Sequence, residues 1–287
     1  MKTLILMSDL HVDFHLERGT GKFLITPETL LPQDVLQHPQ NFVVCIAGDI
    51  DNKISRGLRW LKEFALAYPA LEIVFVLGNH DFYGEVFDTL PALVRDWEKL
   101  NKINNLHFVD RSVFQIENMV FFGGTMWTNF LDEEPALVYG NAAQQINDFS
   151  YIFHQHYGNP ISPSIMLEKH KRTVDFIFET SEKIVDDLVQ VVITHHAPSF
   201  QSADARYLAS DSDDFEKKEN SRLMPGLYCT NLEAKIVDSK IDLWHHGHMH
   251  VDKHYRVGNT TVICNPYGYH PSRNGEEFFP MELEFDK

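Results

Sequence analysis

Three short apolar runs punctuate the first eighty residues: TLILMS from residue 3, FVVCIAG from residue 42 and EIVFVLG from residue 72. Each reads as a buried strand. Between the second and third, SRGLRWLKEFALAYP repeats apolar residues at helical spacing and stops at Pro69. Strand, helix, strand predicts an α/β unit with parallel strands. After LHFVD, the runs SVFQIE and MVFFGG flank Asn118 and predict a hairpin.

Residues from about 131 to 190 carry a mostly helical pattern. VVITHHA, IDLWHHG and TTVICNP then return to strand character. A polar loop is expected at about 199–230, and its acidic stretch SDSDDFEKKENS spans 210–221. No internal repeat or clean linker divides the chain, so a single domain over residues 1–287 is expected, with the helical stretch as an insertion.

Composition narrows the class. The 287 residues are 44% hydrophobic and 12% aromatic, which is globular and sufficient for a sizeable core. Lys and Arg number 25 against 41 Asp and Glu, a net charge of 25 − 41 = −16. A broad basic face for duplex nucleic acid is thereby excluded, since that mode neutralises phosphates with Lys and Arg. Three cysteines, Cys45, Cys229 and Cys264, form neither a C-x-x-C pair nor an even set, which fits a reducing compartment. The apolar start ends at Ser8-Asp9, too soon for a signal peptide, and no run has the length of a membrane span. The expected location is the cytoplasm. GTGK at 19–22 is not a phosphate loop, because Leu16 and Phe23 stand where Gly and Ser or Thr belong.

The chemistry lies where the apolar runs end. The first ends in SDLH, the second in GDI and the third in GNHD; later ones end in THH and HHGHMH. Strand ends along one edge of an α/β sheet are where ligand sites form. Asp9 and His11 are two residues apart and, on extended backbone, project to one side. Gly48 permits a sharp turn that brings Asp49 inward, and a carboxylate there can bridge two ions. Asn79 offers a neutral amide oxygen, while His195, His248 and His250 add imidazoles. Mixed nitrogen and oxygen ligands suit Mn, Fe, Zn or Co better than Ca, and manganese is the ion expected. Two divalent ions with two carboxylates leave +2, enough for a hydroxide and a phosphate ester.

Asp9-Leu10-His11, Gly48-Asp49, Gly78-Asn79-His80-Asp81, His195 and Gly247-His248-Met249-His250 together resemble the calcineurin-like metallophosphoesterase superfamily, and GGTMWTNF at 123–130, INDF at 146–149 and CNPYGY at 264–269 resemble elements of a bacterial and phage-like branch of it. All five blocks stand in order between residues 9 and 250. The resemblance implies a four-layer α/β/β/α sandwich of two mixed sheets flanked by helices, with a two-metal site at one edge. It implies that Asp9, His11 and His250 hold one metal, that Asn79, His195 and His248 hold the other, and that Asp49 bridges them. It further implies that His80 faces the substrate and assists the leaving oxygen, with Asp81 orienting His80. Of the histidines between 245 and 254, His245, His246 and His254 then keep strand or supporting roles.

The implied activity is hydrolysis of a phosphodiester or phosphomonoester by a metal-bridging hydroxide attacking phosphorus in line. The substrate expected is a small phosphate ester; the acidic balance argues against long nucleic acid, although one branch of the superfamily cleaves DNA. A non-catalytic scaffold of the same fold is the alternative, but that class should lack His80 or some ligands. His196 is the alternative to His195 as ligand. The segments around Trp127, INDF at 146–149 and CNPYGY at 264–269 stand between core or turn roles and substrate contact.

Overall fold

The computed structural model describes residues 2–132, 146–204, 225–269, 272–273 and 276–285. Strands β1 (Thr3–Met7), β2 (Phe42–Ala47), β3 (Glu72–Val76) and β4 (Leu106–Phe108) pair in parallel, and a late strand, Met281–Leu283, adds antiparallel to β1. The second sheet has six strands. The hairpin of β5 (Val113–Ile116) and β6 (Met119–Gly124) is followed by β7 (Val189–Thr194), β8 (Leu243–His246), β9 (Lys253–Val257) and β10 (Thr260–Cys264), in the order β5-β6-β7-β8-β10-β9. Strands β6, β7, β8 and β10 run parallel.

Strand periodicity explains the layers. Successive side chains point to opposite faces, and here both faces are covered. Leu4, Leu6, Val43, Cys45, Val74 and Val76 pack between the sheets against Met119, Phe121, Val191, Ile193, Leu243 and Ile263. The alternate residues Ile5, Met7, Val44, Ile46, Ile73 and Phe75 face outward, beneath the helices Ile54–Ala67 and Leu90–Asn101. On the other side Val120, Phe122, Val192, Trp244 and Val262 meet Val174 and Ile177 of the helix Pro163–Lys183. Burial on both faces is why these strands read as continuous apolar runs. The result is two mixed sheets flanked by helices, the four-layer arrangement expected.

The described part of the stretch 131–190 contains a short helix, Asp148–Tyr151, and the long helix Pro163–Lys183 before β7 begins. Residues 133–145 and most of the polar loop, 205–224, lie outside the described residues. Cys45, Cys229 and Cys264 are buried free thiols. Among the described residues no helix is long and apolar enough to cross a membrane.

Candidate metal centre

Every expected ligand follows the end of a strand. Asp9 and His11 follow β1, Asp49 follows β2, Asn79 follows β3, His195 follows β7, and His248 and His250 follow β8. Backbone bonds lock these ends together. Asp9 N–H donates to Gly48 O, His11 N–H to Asp49 O and Gly247 N–H to His195 O, each at 3.0 Å. The His248 N–H donates to the Asp9 carboxylate at 2.9 Å, and the His80 N–H to Asp49 Oδ1 at 2.8 Å.

The local backbone is strained. Asp9, His11, Asp49, His248 and His250 all have positive φ, between 42° and 69°. For residues with a Cβ this region costs roughly 1–2 kcal/mol each. Such outliers persist where surrounding structure enforces them, and they concentrate at functional sites. Space is equally tight at the glycines. Gly48 has φ +83°, and a Cβ there would stand 2.5 Å from Gly78 N and 2.7 Å from His195 Nδ1. A Cβ on Gly78 would collide with the Asp49 carboxylate and backbone.

Two groups of donor atoms converge, each within 4.8 Å: Asp9, His11, Asp49 and His250 in one, and Asp49, His195 and His248 in the other. Asp49 belongs to both. Asn79 joins the second group, with its Oδ1 3.0 Å from His195 Nε2. His11 Nε2 lies 3.1 Å from His250 Nε2, and His248 Nδ1 lies 3.2 Å from His195 Nε2. Ligands at about 2.0–2.2 Å from one ion stand roughly 3 Å apart, so these spacings fit metal coordination. All seven expected ligands are thus brought together.

The electrostatics are divided between the rings. Burial opposes charge on Asp9, but His250 beside it wins and holds the carboxyl at about 2. Burial likewise works against a charged His195, yet Asp49 outweighs it and lifts the ring to about 9. Burial pushes His11 down to about 3 and His248 well below its ordinary value, leaving both as neutral lone-pair donors. His195 Nδ1–H donates to Ala47 O at 2.8 Å, which turns Nε2 toward Asp49 and Asn79.

Two residues fix Asn79. Asp148 Oδ1 accepts from Asn79 Nδ2 at 2.8 Å and from the Tyr83 hydroxyl at 2.9 Å. The amide nitrogen is therefore directed to Asp148 and the oxygen toward His195. Burial and the neighbouring Asp148 carboxylate push the Tyr83 phenol far up, so it remains a donor.

His80 lines the cleft, with Nε2 4.0 Å from Asp49 Oδ2. The expectation that Asp81 orients it is corrected. Asp81 is fully buried and accepts from Gly78 N at 2.8 Å and from Ile50 and Asp51 N at 3.1 Å, tying the β2 and β3 loops together. The turn His80–Phe82 sends consecutive side chains in different directions. Asn52 takes the orienting part: the His80 Nδ1–H donates to its Oδ1 at 2.6 Å, and Asn52 Nδ2 donates to Asp13 at 2.8 Å.

The remaining segments divide. His196 is buried behind His248, with ring centroids 4.4 Å apart, and does not line the cleft. Trp127 is core, packed on Phe82 and Phe87. Asn265 Nδ2 donates to Leu6 O at 2.8 Å and joins the two sheets. INDF and CNPYGY do reach the cleft, through Ile146, Asn147, Asp148 and Tyr269. His245 and His246 are buried, the first donating to Met7 O at 2.9 Å and the second paired with Ser202 at 2.7 Å; His254 is exposed.

The site opens into a cleft of about 440 Å³. A family model described as calcineurin-like phosphoesterase matches residues 2–252. An uncharacterised protein of Acanthamoeba polyphaga mimivirus is 21% identical over 284 residues, covering 96% of this chain and 94% of that one. Among solved structures, phosphopantetheinyl hydrolase from Mycobacterium tuberculosis superposes with a TM-score of 0.62 at 16% identity, over 93% of this chain and 90% of that one.

Proposed function

Because the chain belongs to the calcineurin-like phosphoesterase family, we propose that it is a two-metal phosphoesterase hydrolysing a small phosphate ester, with manganese as the native ion. The observation that carries this reading is the pair of donor groups sharing Asp49. Asp9, His11 and His250 would hold one ion, Asn79, His195 and His248 the other, and Asp49 would bridge. Two divalent ions there would supply an activated water and neutralise the phosphate oxygens.

The chain's own residues do the rest. Asp49 is held as a carboxylate: burial opposes its charge, but His195 and His80 outweigh that and keep it well below its usual range. Asp148 keeps the Asn79 amide oxygen turned toward the second group. Asn52 fixes His80 by Nδ1, so its Nε2 is directed at the cleft. In its doubly protonated form His80 gives the Nε2 proton to the departing alkoxide as the water oxygen bonds to phosphorus and the P–O bond to the leaving group breaks. The leaving alcohol departs neutral, and the water's proton passes to solvent.

Hydrolysis of p-nitrophenyl phosphate and bis(p-nitrophenyl) phosphate by Mn²⁺-loaded protein tests the reading. Turnover should be abolished by chelation and restored by Mn²⁺. A phosphopantetheinyl ester belongs in the same screen, as the group named for the mycobacterial structural relative. Asp49→Asn should be the most damaging ligand change, since it removes one of two carboxylates and the bridge together. Folded, metal-loaded protein inert toward the whole screen would contradict the reading.

A further inference from the structure

Aromatic rings gather where the leaving group must depart. Tyr83 stacks on His80 with centroids 4.5 Å apart at 30°. Tyr151, 53% exposed, continues that wall at 5.5 Å from Tyr83. Tyr269 lies 4.4 Å from the His11 ring and 4.6 Å from the His250 ring, and its hydroxyl is 3.5 Å from His80 Nε2. Phe14, 56% exposed, continues this second wall at 4.8 Å from Tyr269. His80 thus contacts two tyrosines, each leading to an exposed aromatic ring.

These rings are held in place. The Tyr83 hydroxyl is fixed on Asp148. The segment carrying Tyr269 is stitched to the end of β1, because Tyr267 N–H donates to Ser8 O and Gly268 N–H to Asp9 O, both at 2.8 Å. Exposed aromatic surface continuous with a polar reaction centre is characteristic of a ligand site. The charge of the cleft points the same way. Among the described residues its lining includes Asp49 and Asp148 but no Lys or Arg. Among the described lining residues no Lys or Arg would meet a second phosphate on the leaving group.

We propose that the cleft selects a phosphate ester whose leaving alcohol carries a flat aromatic or heteroaromatic group, received by Tyr83 and Tyr269 of the cleft lining and by the exposed rings of Tyr151 and Phe14 that adjoin them outside it. This rests on the phosphoesterase reading, and binding can be measured apart from turnover. A cleft of about 440 Å³ accommodates a phosphate with a ring of one or two cycles. Phe14 and Tyr151 contribute ring contact only, whereas Tyr83 also holds the Asn79 network.

The test uses full-length, Mn²⁺-loaded protein and three methyl phosphodiesters with 2-naphthylethyl, 2-cyclohexylethyl or ethyl leaving groups. Their alcohols are similarly basic, so the chemistry is matched. The methyl esters of the corresponding alkylphosphonates, with a methylene in place of the leaving oxygen, report binding by calorimetry. The naphthyl analogue should bind at least tenfold tighter than either of the others, and its diester should show the lower KM. Phe14→Ala and Tyr151→Ala should each reduce that preference by roughly two- to tenfold, the range of one aromatic contact. Equal binding of the naphthyl and cyclohexyl analogues, or an undiminished preference in both variants, would overturn the proposal. Ring-selective binding without hydrolysis of any ester would support the cleft assignment and sink the hydrolytic reading instead.

Discussion

His80 anchors Nδ1 on Asn52 and presents Nε2 to the cleft, so its removal has a specific signature. His80→Ala should lower turnover of alkyl esters by roughly 10²–10⁴-fold, the usual contribution of a positioned acid. Nitrophenyl esters should suffer least, because a nitrophenolate departs without a proton. Metal content should not change. Equal losses across leaving groups would show that His80 positions phosphate instead. Asp148 has a different signature, since it touches the amide of Asn79 and lies outside the ligand set. Asp148→Ala frees that amide to rotate. It should weaken one of two calorimetric Mn²⁺ steps by about 10–100-fold, as loss of a ligand-orienting partner does, and spare the other. Two unaltered steps would remove Asp148 from this role. The residues of the two donor groups were legible in the sequence because each sits in a short block with its own glycine or strand run. Asn52 and Asp148 were not, because their roles depend on loops folding together from 28 and 69 residues away. Asp81 was misassigned for the converse reason: adjacency in the chain does not give contact when a tight turn separates the side chains.

At the level of elements, the site depends on strand ends held close enough for their loops to share atoms. The closest approach is between the loops after β2 and β3, where Gly78 leaves no room for a Cβ against Asp49. Gly78→Ala should displace the Asp49 carboxylate, lower metal affinity at both positions and destabilise the fold by roughly 1–3 kcal/mol, the usual cost of overpacking. Thermal unfolding and metal titration together check this. A variant with wild-type melting and metal binding would show that the loops have slack. The core strands, the helix between β2 and β3 and the β5–β6 hairpin could all be read from apolar runs, since double-sided burial leaves a strong pattern. The pairing of β8 with β10 while β9 returns to the edge could not, because sheet order depends on long-range contacts.

For the whole molecule, an acidic protein with net charge −16 brings four of its 16 histidines, His11, His195, His248 and His250, into the two donor groups. That arrangement makes metal binding a proton exchange. His195 has its pKa raised to about 9 despite burial, by Asp49, so without metal it carries a proton at neutral pH. A metal needs that ring's lone pair and must displace the proton. Apparent affinity should therefore rise with pH, by up to about tenfold per unit for each displaced proton, and level off above about 9. Calorimetry in buffers of different ionisation enthalpy would detect the release; a pH-independent affinity between 6 and 9, on the order of the window set by this shift, would contradict it.

The most direct measurement is the rate of phosphodiester hydrolysis as Mn²⁺ is added to metal-free protein in measured equivalents. Two ions sharing Asp49 should give a rate that is small at one equivalent, rises steeply toward two and is flat beyond. A rate already saturated at one equivalent would contradict a two-metal phosphoesterase.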